Sequence, residues 1–379
     1  MSLVDAVSLF ESHFKSKPEF ASFAPGRINL IGEHTDYQEG YVFPCAIDLG
    51  LTVVASVTDG PTELVSQEMG VGKSFDCRKP NKDELKDSWT KYPAGVAAAI
   101  GAKTNIRAAV ISNLPAESGV SSSAAIELAF GVLWNQIDKL GLTNKQLALK
   151  GQEAENKFVG MPCGVMDQMA SAMGVDNSAL LLDTRSLDIQ AVKIRKGIAV
   201  VLLDTGRRRQ LVGQEYAQRR SQVEEAAAKL GKKTLRDAAS HELNPAQLPG
   251  LLYKRALHVV TENERCLEFA ECLQKGQLRR VGELMAESHE SLRENFEVTV
   301  PQLDDMCYSA AHAPGCVGVR MTGAGFGGAC VALVKENRLN EFLESTENTY
   351  RALQPSFEPR LIACRASDGA KSINLSLTQ

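Results

Sequence analysis

Residues 113–127 read NLPAESGVSSSAAIE, a run of small and hydroxylated residues set between two apolar segments. Upstream, Ile106-Arg107-Ala108-Ala109-Val110-Ile111 is rich in branched residues, as a buried strand would be. Downstream, residues 124–140 are helix formers with Ile126, Leu133 and Ile137 at helical spacing. A turn through Pro115, Ser118 and Gly119 joins the two, followed by three consecutive serines. A strand that passes through a small-residue loop into a helix N-terminus gathers free backbone N–H groups and the positive end of the helix dipole at one point. That arrangement receives a phosphate. Hydroxyls at Ser121, Ser122 and Ser123 add donors for phosphate oxygens or a ligand for magnesium. No Gly-Lys-Ser/Thr follows the glycine, so this is not a Walker A loop. The same residues would also make a serine-rich cap on a core helix, and the stretch alone leaves both readings open.

At 379 residues the chain can bury a large core, and its length favours two domains over one. A net charge of −4 gives no global basic field for nucleic acid or an anionic membrane. The N-terminus lacks a signal-peptide pattern, and no apolar run is long enough to span a bilayer. The nine cysteines form no C-x-x-C pair, and their odd number argues against a full disulfide framework. Small apolar core residues in a reducing cytoplasm are expected instead.

The spacing of Leu3, Val7, Phe10 and Phe14 predicts an opening helix that Pro18 ends. Strands are expected at 20–23, 41–43, 51–58, 106–111, 179–182, 198–203, 316–321 and 329–334, with a last one at 361–364. Residues 67–87 are polar and irregular. Thr143-Asn144-Lys145-Gln146 has the form of a capping box for a helix running to Phe158, which the glycines at 160 and 164 break. Further helices are predicted over 215–230, 251–273 and 278–292. Strand and helix blocks alternate without βαβ regularity, which points to an α+β fold in two halves. The boundary is placed at residues 195/196, giving domains 1–195 and 196–379.

Two more stretches narrow the reading. Residues 24–37, APGRINLIGEHTDY, closely resemble the signature of galactokinases. The serine loop resembles the second motif of their wider superfamily, the GHMP small-molecule kinases, and Gly323-Ala324-Gly325-Phe326-Gly327-Gly328 resembles the third. The matches keep their order and span almost the whole chain. The resemblance implies the two-lobed GHMP fold with an active site in the cleft between lobes. It also implies transfer of phosphoryl from MgATP to the anomeric hydroxyl of D-galactose, in a cytoplasmic enzyme expected to be a monomer.

Site roles follow from the same resemblance, position by position. Gly164-Val165-Met166-Asp167-Gln168 matches the family's G-I-M-D-Q segment, whose aspartate is the proposed base, although an aspartate that begins a helix is more often a cap. Arg27 matches the arginine that pairs with it, where a guanidinium would stabilise a developing alkoxide. Glu33, His34 and Asp36, with Gly164 and Tyr216, match the sugar contacts; alternating acceptors and donors in one turn suit selection of a polyol. Trp89 and Tyr92 match an adenine pocket, 118–123 the phosphate loop, and Ser123 with Glu155 the magnesium ligands. Without the resemblance, the two aromatics would be ordinary core and Glu155 a solvated helix charge. The arginines at 207–209 read as a solvated turn rather than a phosphate clamp. His13, His241, His258, His289 and His312 form no ligand pattern. The third motif is expected to support the nucleotide loop from behind.

The rivals are a kinase for N-acetylgalactosamine or a uronic acid, and a non-catalytic sensor of galactose and ATP. His34-Thr35-Asp36-Tyr37 favours galactose, and the intact Ser-Ala pair at 123–124 disfavours the sensor. One departure stands out: Glu117 occupies the place of the first glycine in the family's P-x-G-x-G-L-S-S-S-A loop. Its carboxylate is expected to turn away from the triphosphate, with its backbone in an ordinary region.

Overall fold

Branched apolar runs punctuated by Gly, Asn and Asp turns give this chain thirteen strands among the described residues. The structure, a computed structural model, describes residues 3–115, 118–208, 212–248 and 250–378. The expectation for Glu117 lies outside them, as does Arg209. In chain order the strands are β1 (Phe20–Asn29), β2 (Tyr41–Val42), β3 (Pro44–Val57), β4 (Glu63–Ser66), β5 (Gly70–Val71), β6 (Ile106–Ser112) and β7 (Ser178–Asp183). They continue with β8 (Asp188–Lys193), β9 (Ile198–Asp204), β10 (Cys316–Thr322), β11 (Ala329–Lys335), β12 (Arg360–Cys364) and β13 (Lys371–Ile373). The helices are α1 (Leu3–Phe14), α2 (Lys82–Leu85), α3 (Lys91–Ile100), α4 (Ser122–Ile137), α5 (Asn144–Glu153) and α6 (Met166–Met173). Then come α7 (Val212–Lys229), α8 (Leu251–Lys275), α9 (Leu278–Ser291), α10 (Pro301–Ala311) and α11 (Leu339–Leu353).

The mixed α+β class expected from the sequence is the one observed. A six-stranded sheet runs β13-β1-β3-β6-β4-β5, a four-stranded sheet β10-β11-β9-β12, and a three-stranded sheet β2-β7-β8. Among the described residues all strand pairings are antiparallel except β4 with β6. Helices α4 and α6 pack against β1 and β3, while α9 and α10 pack against β10.

Several elements differ from the sequence reading. The strand at 361–364 is not the last, because β13 follows and pairs with β1, setting Ile373 opposite Ala21. Three residues are too few for an alternation to show. Nor did periodicity mark β4, α10 or α11. Strand β1 does not stop before Pro25; it runs on to Asn29 through an irregularity between Pro25 and Arg27, a bulge that re-aims the following side chains. The capping box is present: Thr143 accepts from the Gln146 N–H, and the Gln146 side chain accepts from Thr143. Past Glu153 the helix widens into a π turn, Ala154–Val159, that ends at Gly160. Such wide turns re-orient side chains at functional sites, and this one carries Glu155.

One apolar cluster joins the sheets. Ile28 and Phe43 from the N-terminal half meet Leu202, Leu333, Phe269 and Leu284 from the C-terminal half. Strand β9 is buried on both faces, with Val200 and Leu202 in this cluster and Val201 and Leu203 in the next. That explains its unbroken apolar run. Phe269 is fully buried and meets Phe43 edge-on, with ring centroids 5.4 Å apart. Phe269→Ala should therefore destabilise the protein by about 3–5 kcal/mol, measured by urea unfolding. A loss below about 1 kcal/mol would show that the two halves are not held by this core.

Candidate active site

A cleft of about 610 Å³ opens where the β1 bulge, the serine loop, the start of α6 and the β10–β11 loop meet. Every site residue singled out from the sequence lines it except Trp89; Met161, Pro162, Cys163, Met166, Gly323 and Ala324 join them. Trp89 packs against the core cluster beneath, and its indole N–H is buried without a partner among the described residues.

Arg27, almost wholly buried, organises the centre. Its Nε and Nη2 donate to Asp167 Oδ1 and Oδ2, each at 2.9 Å, in a two-pronged fork. Its Nη1 donates to the Gly119 carbonyl at 2.6 Å, and its backbone N–H to the Val120 carbonyl at 3.1 Å. The Ser121 hydroxyl also donates to Asp167 Oδ2. Ser121 precedes α4 with φ 58° and makes no side-chain cap. The Ser121 hydroxyl therefore serves the cleft rather than the helix end. Ser118 turns its hydroxyl to Asp204 Oδ2, 2.6 Å away. Ser122 is exposed and Ser123 half-buried at the helix start.

The turn at 32–37 is held from behind by groups that sequence reasoning missed. Glu262 on α8, fully buried, accepts the N–H groups of Gly32 and Glu33 at 3.0 and 3.3 Å and the Ser288 hydroxyl at 2.6 Å. Burial opposes its ionisation, yet Arg265, His258, Arg320 and Ser288 bring its pKa down to about 2. His258 donates its Nε2–H to the Glu33 carbonyl, 3.1 Å away. Glu33 Oε1 accepts from the Gly323 N–H at 2.7 Å, the Thr322 hydroxyl at 3.2 Å and Arg320 at 3.4 Å. The third motif therefore also braces the 32–37 turn. A signal was present: Arg255, His258, Glu262 and Arg265 form a polar stripe at 3-4-3 spacing along an otherwise apolar helix face.

His34 is neutral: burial, then repulsion from the His258 ring, lowers its pKa to about 3. Its Nε2–H donates to the Ala324 carbonyl at 3.2 Å, and its Nδ1 accepts from the Tyr37 hydroxyl at 3.0 Å. Tyr216 packs against both rings, with centroids 5.7 Å from His34 and 5.4 Å from Tyr37. Asp36 accepts the Tyr37 N–H at 3.0 Å and also the Met166 N–H. A Cβ on Gly164 would strike the Asp36 carboxyl and force it to move, so the glycine lets the two pack closely.

Glu155 and Glu127 lie side by side behind Ser123, with the Gln168 amide donating to both at 2.7 and 3.0 Å. Burial raises both carboxyls, Glu155 further through Asp167 and Glu127 through Glu155. Oε1 of Glu127 is buried without a partner among the described residues. Crowded carboxylate and hydroxyl oxygens short of positive charge fit a hard dication such as magnesium. Among the described residues no group of three or more His, Cys, Asp or Glu side chains is placed to hold a metal alone. The arginines after β9 are not simply solvated: Arg207 donates to Gln302, and Arg208 lies 3.8 Å from Asp204.

Asp36 gives this site a pH signature. Burial, then Asp167 and Glu33, raises its pKa from 3.8 to about 7. The folded, ligand-free protein thus keeps a proton that the unfolded chain releases near pH 4. The stability from this group is complete below that pH and is lost as pH rises through about 7. Asp36→Asn keeps the neutral shape, so its thermal midpoint should match wild type near pH 4 and exceed it by a few degrees at pH 8. Equal midpoints at pH 8 would refute the assignment.

Comparison with known proteins agrees with this geometry. Residues 8–57 match the galactokinase galactose-binding signature, residues 91–175 the GHMP kinases N-terminal domain, and residues 269–352 the GHMP kinases C-terminal domain. The structure superposes on the Lactococcus lactis galactokinase, solved in complex with galactose, with a TM-score of 0.91 at 31% identity, covering 97% of this chain and 98% of that one. More distant likenesses concern the fold alone. The Methanococcus jannaschii mevalonate kinase gives a TM-score of 0.66 at 17% identity over 93% of this chain and 100% of that one. The homoserine kinase of Cytophaga hutchinsonii gives 0.61 at 16% over 93% and 97%. The chain belongs to the galactokinase family of the GHMP kinases.

Proposed function

We propose that this chain transfers the γ-phosphoryl of ATP to the anomeric hydroxyl of D-galactose, giving α-D-galactose 1-phosphate and ADP. The observation that carries the reading is the Arg27–Asp167 fork, set between the serine loop and the carboxylates of the 32–37 turn. The serine loop receives the triphosphate at the start of α4, with the N–H groups around Gly119, Val120 and Ser122 as donors. Tyr92 lines the cleft on the nucleotide side, with Trp89 beneath it. Glu33, Asp36 and the backbone at Gly164 take the sugar hydroxyls, while His34 and Tyr216 wall the pocket with their rings.

The fork fixes both oxygens of Asp167 in orientation. The carboxylate is about one third exposed to the cleft, so it accepts the proton of a hydroxyl aimed at the γ-phosphate, exchanging its bond from Ser121 for one from the sugar. Arg27 stands beside the oxygen that becomes negative. Ser123 and Glu155 would hold a magnesium ion, which when bound neutralises phosphate charge. The lobes are taken to divide at residues 195/196. Among the described residues no helix is long and apolar enough to cross a membrane.

Two measurements test the reading. Coupled ADP release across galactose, glucose, N-acetylgalactosamine, galacturonate and arabinose should show a clear preference for galactose. An inverted hydroxyl leaves a buried partner unpaired, at roughly 1–3 kcal/mol per lost bond. Comparable kcat/KM for glucose and galactose would overturn the substrate. Asp167→Asn should cut kcat about 100-fold or more, with a smaller change in sugar affinity. Turnover near wild type would remove Asp167 from the chemistry.

A further inference from the structure

We infer that Asp204 is a positioning residue for the nucleotide, acting from the C-terminal sheet through Ser118 of the phosphate loop. Asp204 ends β9 and is fully buried. Its Oδ2 accepts the Ser118 hydroxyl at 2.6 Å together with Arg360 Nη2 at 2.8 Å and Nε at 3.2 Å. Its Oδ1 accepts the Gly206 N–H at 3.0 Å. Arg360 opens β12 directly opposite Asp204 in register, so the ion pair is built into the sheet. The next residue is fastened as well. Thr205 donates its N–H and its hydroxyl to the Gly328 carbonyl at 3.0 and 2.6 Å, and the Gly328 N–H returns to the Arg207 carbonyl at 3.1 Å. The third glycine-rich motif thereby locks the turn that carries Asp204.

A buried carboxylate is an unexpected neighbour for a loop that receives a triphosphate, since like charges at close range oppose each other. Arg360 offsets that charge within hydrogen-bonding distance. In return, a hydroxyl bond to an ionised acceptor is roughly twice as strong as one between neutral groups. The Ser118 hydroxyl is therefore an anchor rather than a phosphate donor. The loop's reach towards the nucleotide is set by a sheet 86 residues further along the chain. The anchored loop is the one that receives the triphosphate in the proposed reading, so the anchor acts first on the nucleotide. The inference rests on the proposed kinase reading.

The test uses the full chain, with initial rates measured against ATP and against galactose separately and MgATP binding titrated by calorimetry. Asp204→Asn keeps the shape and removes the charge, and Ser118→Ala removes one hydroxyl. Each should raise the KM and Kd for ATP by about five- to tenfold while the galactose KM stays within about twofold. The double variant should be no worse than the worse single one, because both break the same link. An ATP KM and Kd within twofold of wild type in both variants would overturn the inference. So would parallel changes in both KM values and kcat that track a fall in thermal midpoint, the mark of a merely structural role. If Asp204→Asn does not fold, Ser118→Ala decides alone. If wild type lacks sugar kinase activity, the proposed function fails, while the MgATP titration still reads the anchor.

Discussion

Arg27 reaches two separate parts of the chain from one position on β1. Its backbone N–H and Nη1 hold consecutive carbonyls of the phosphate loop, and its remaining guanidinium edge grips the carboxylate at the start of α6. The placement of the loop relative to the Asp167 carboxylate therefore follows from one side chain. A lysine could not substitute, since it offers no planar fork for two carboxylate oxygens and a carbonyl at once. Removing the guanidinium would leave a half-buried carboxylate facing Glu155 and Asp36 with no cation in contact, a loss of several kcal/mol by the usual measure for broken buried pairs.

Behind this joint stands a second, drier set of charges. Glu262 and Arg320 are fully buried and Glu33 nearly so, each fixed to backbone as well as to one another. An ion cluster of this kind contributes little to stability relative to an apolar core of the same volume. Here it fixes conformation. Glu262 holds two successive amides of the 32–37 turn, and Gly323 and Arg320 hold one oxygen of Glu33. The turn belongs to the N-terminal half and its supports to the C-terminal half, so this wall of the cleft takes shape only when both are folded against each other. The Asp204–Ser118 contact repeats this logic at the serine loop.

Local features of the site were legible in the sequence, and relational ones were not. The serine loop shows its phosphate-binding pattern within a few neighbouring residues, though the same residues would also cap a helix. The 24–37 stretch and the segment around Asp167 are legible only through their resemblance to galactokinases, since an aspartate that begins a helix is more often a cap. The capping box at Thr143 is complete in four residues. Arg320 and Glu262 act on residues more than 200 positions away, and no periodicity reports such a pairing. Even so, polar residues in a helix face that should be apolar are a readable anomaly. Glu127 is another, a single carboxylate inside the buried run of α4. Short strands such as β13 escaped because pairing with β1, rather than their own pattern, makes them strands.

The electrostatics of the ligand-free pocket also bear on which sugar it takes. Glu33, Asp36 and Asp167 face one cleft, and Arg27 is the cation that contacts one of them from within it. The crowding is felt: burial, then Asp167 and Glu33, holds Asp36 near pH 7 in its titration. A neutral polyol brings hydroxyls into such a pocket without adding charge. A uronic acid brings a further carboxylate instead. At an effective dielectric of about 20, two unit charges ~4 Å apart repel by roughly 4 kcal/mol, more than one additional hydrogen bond returns. The carboxylates proposed to take the sugar hydroxyls therefore discriminate against its oxidised relative.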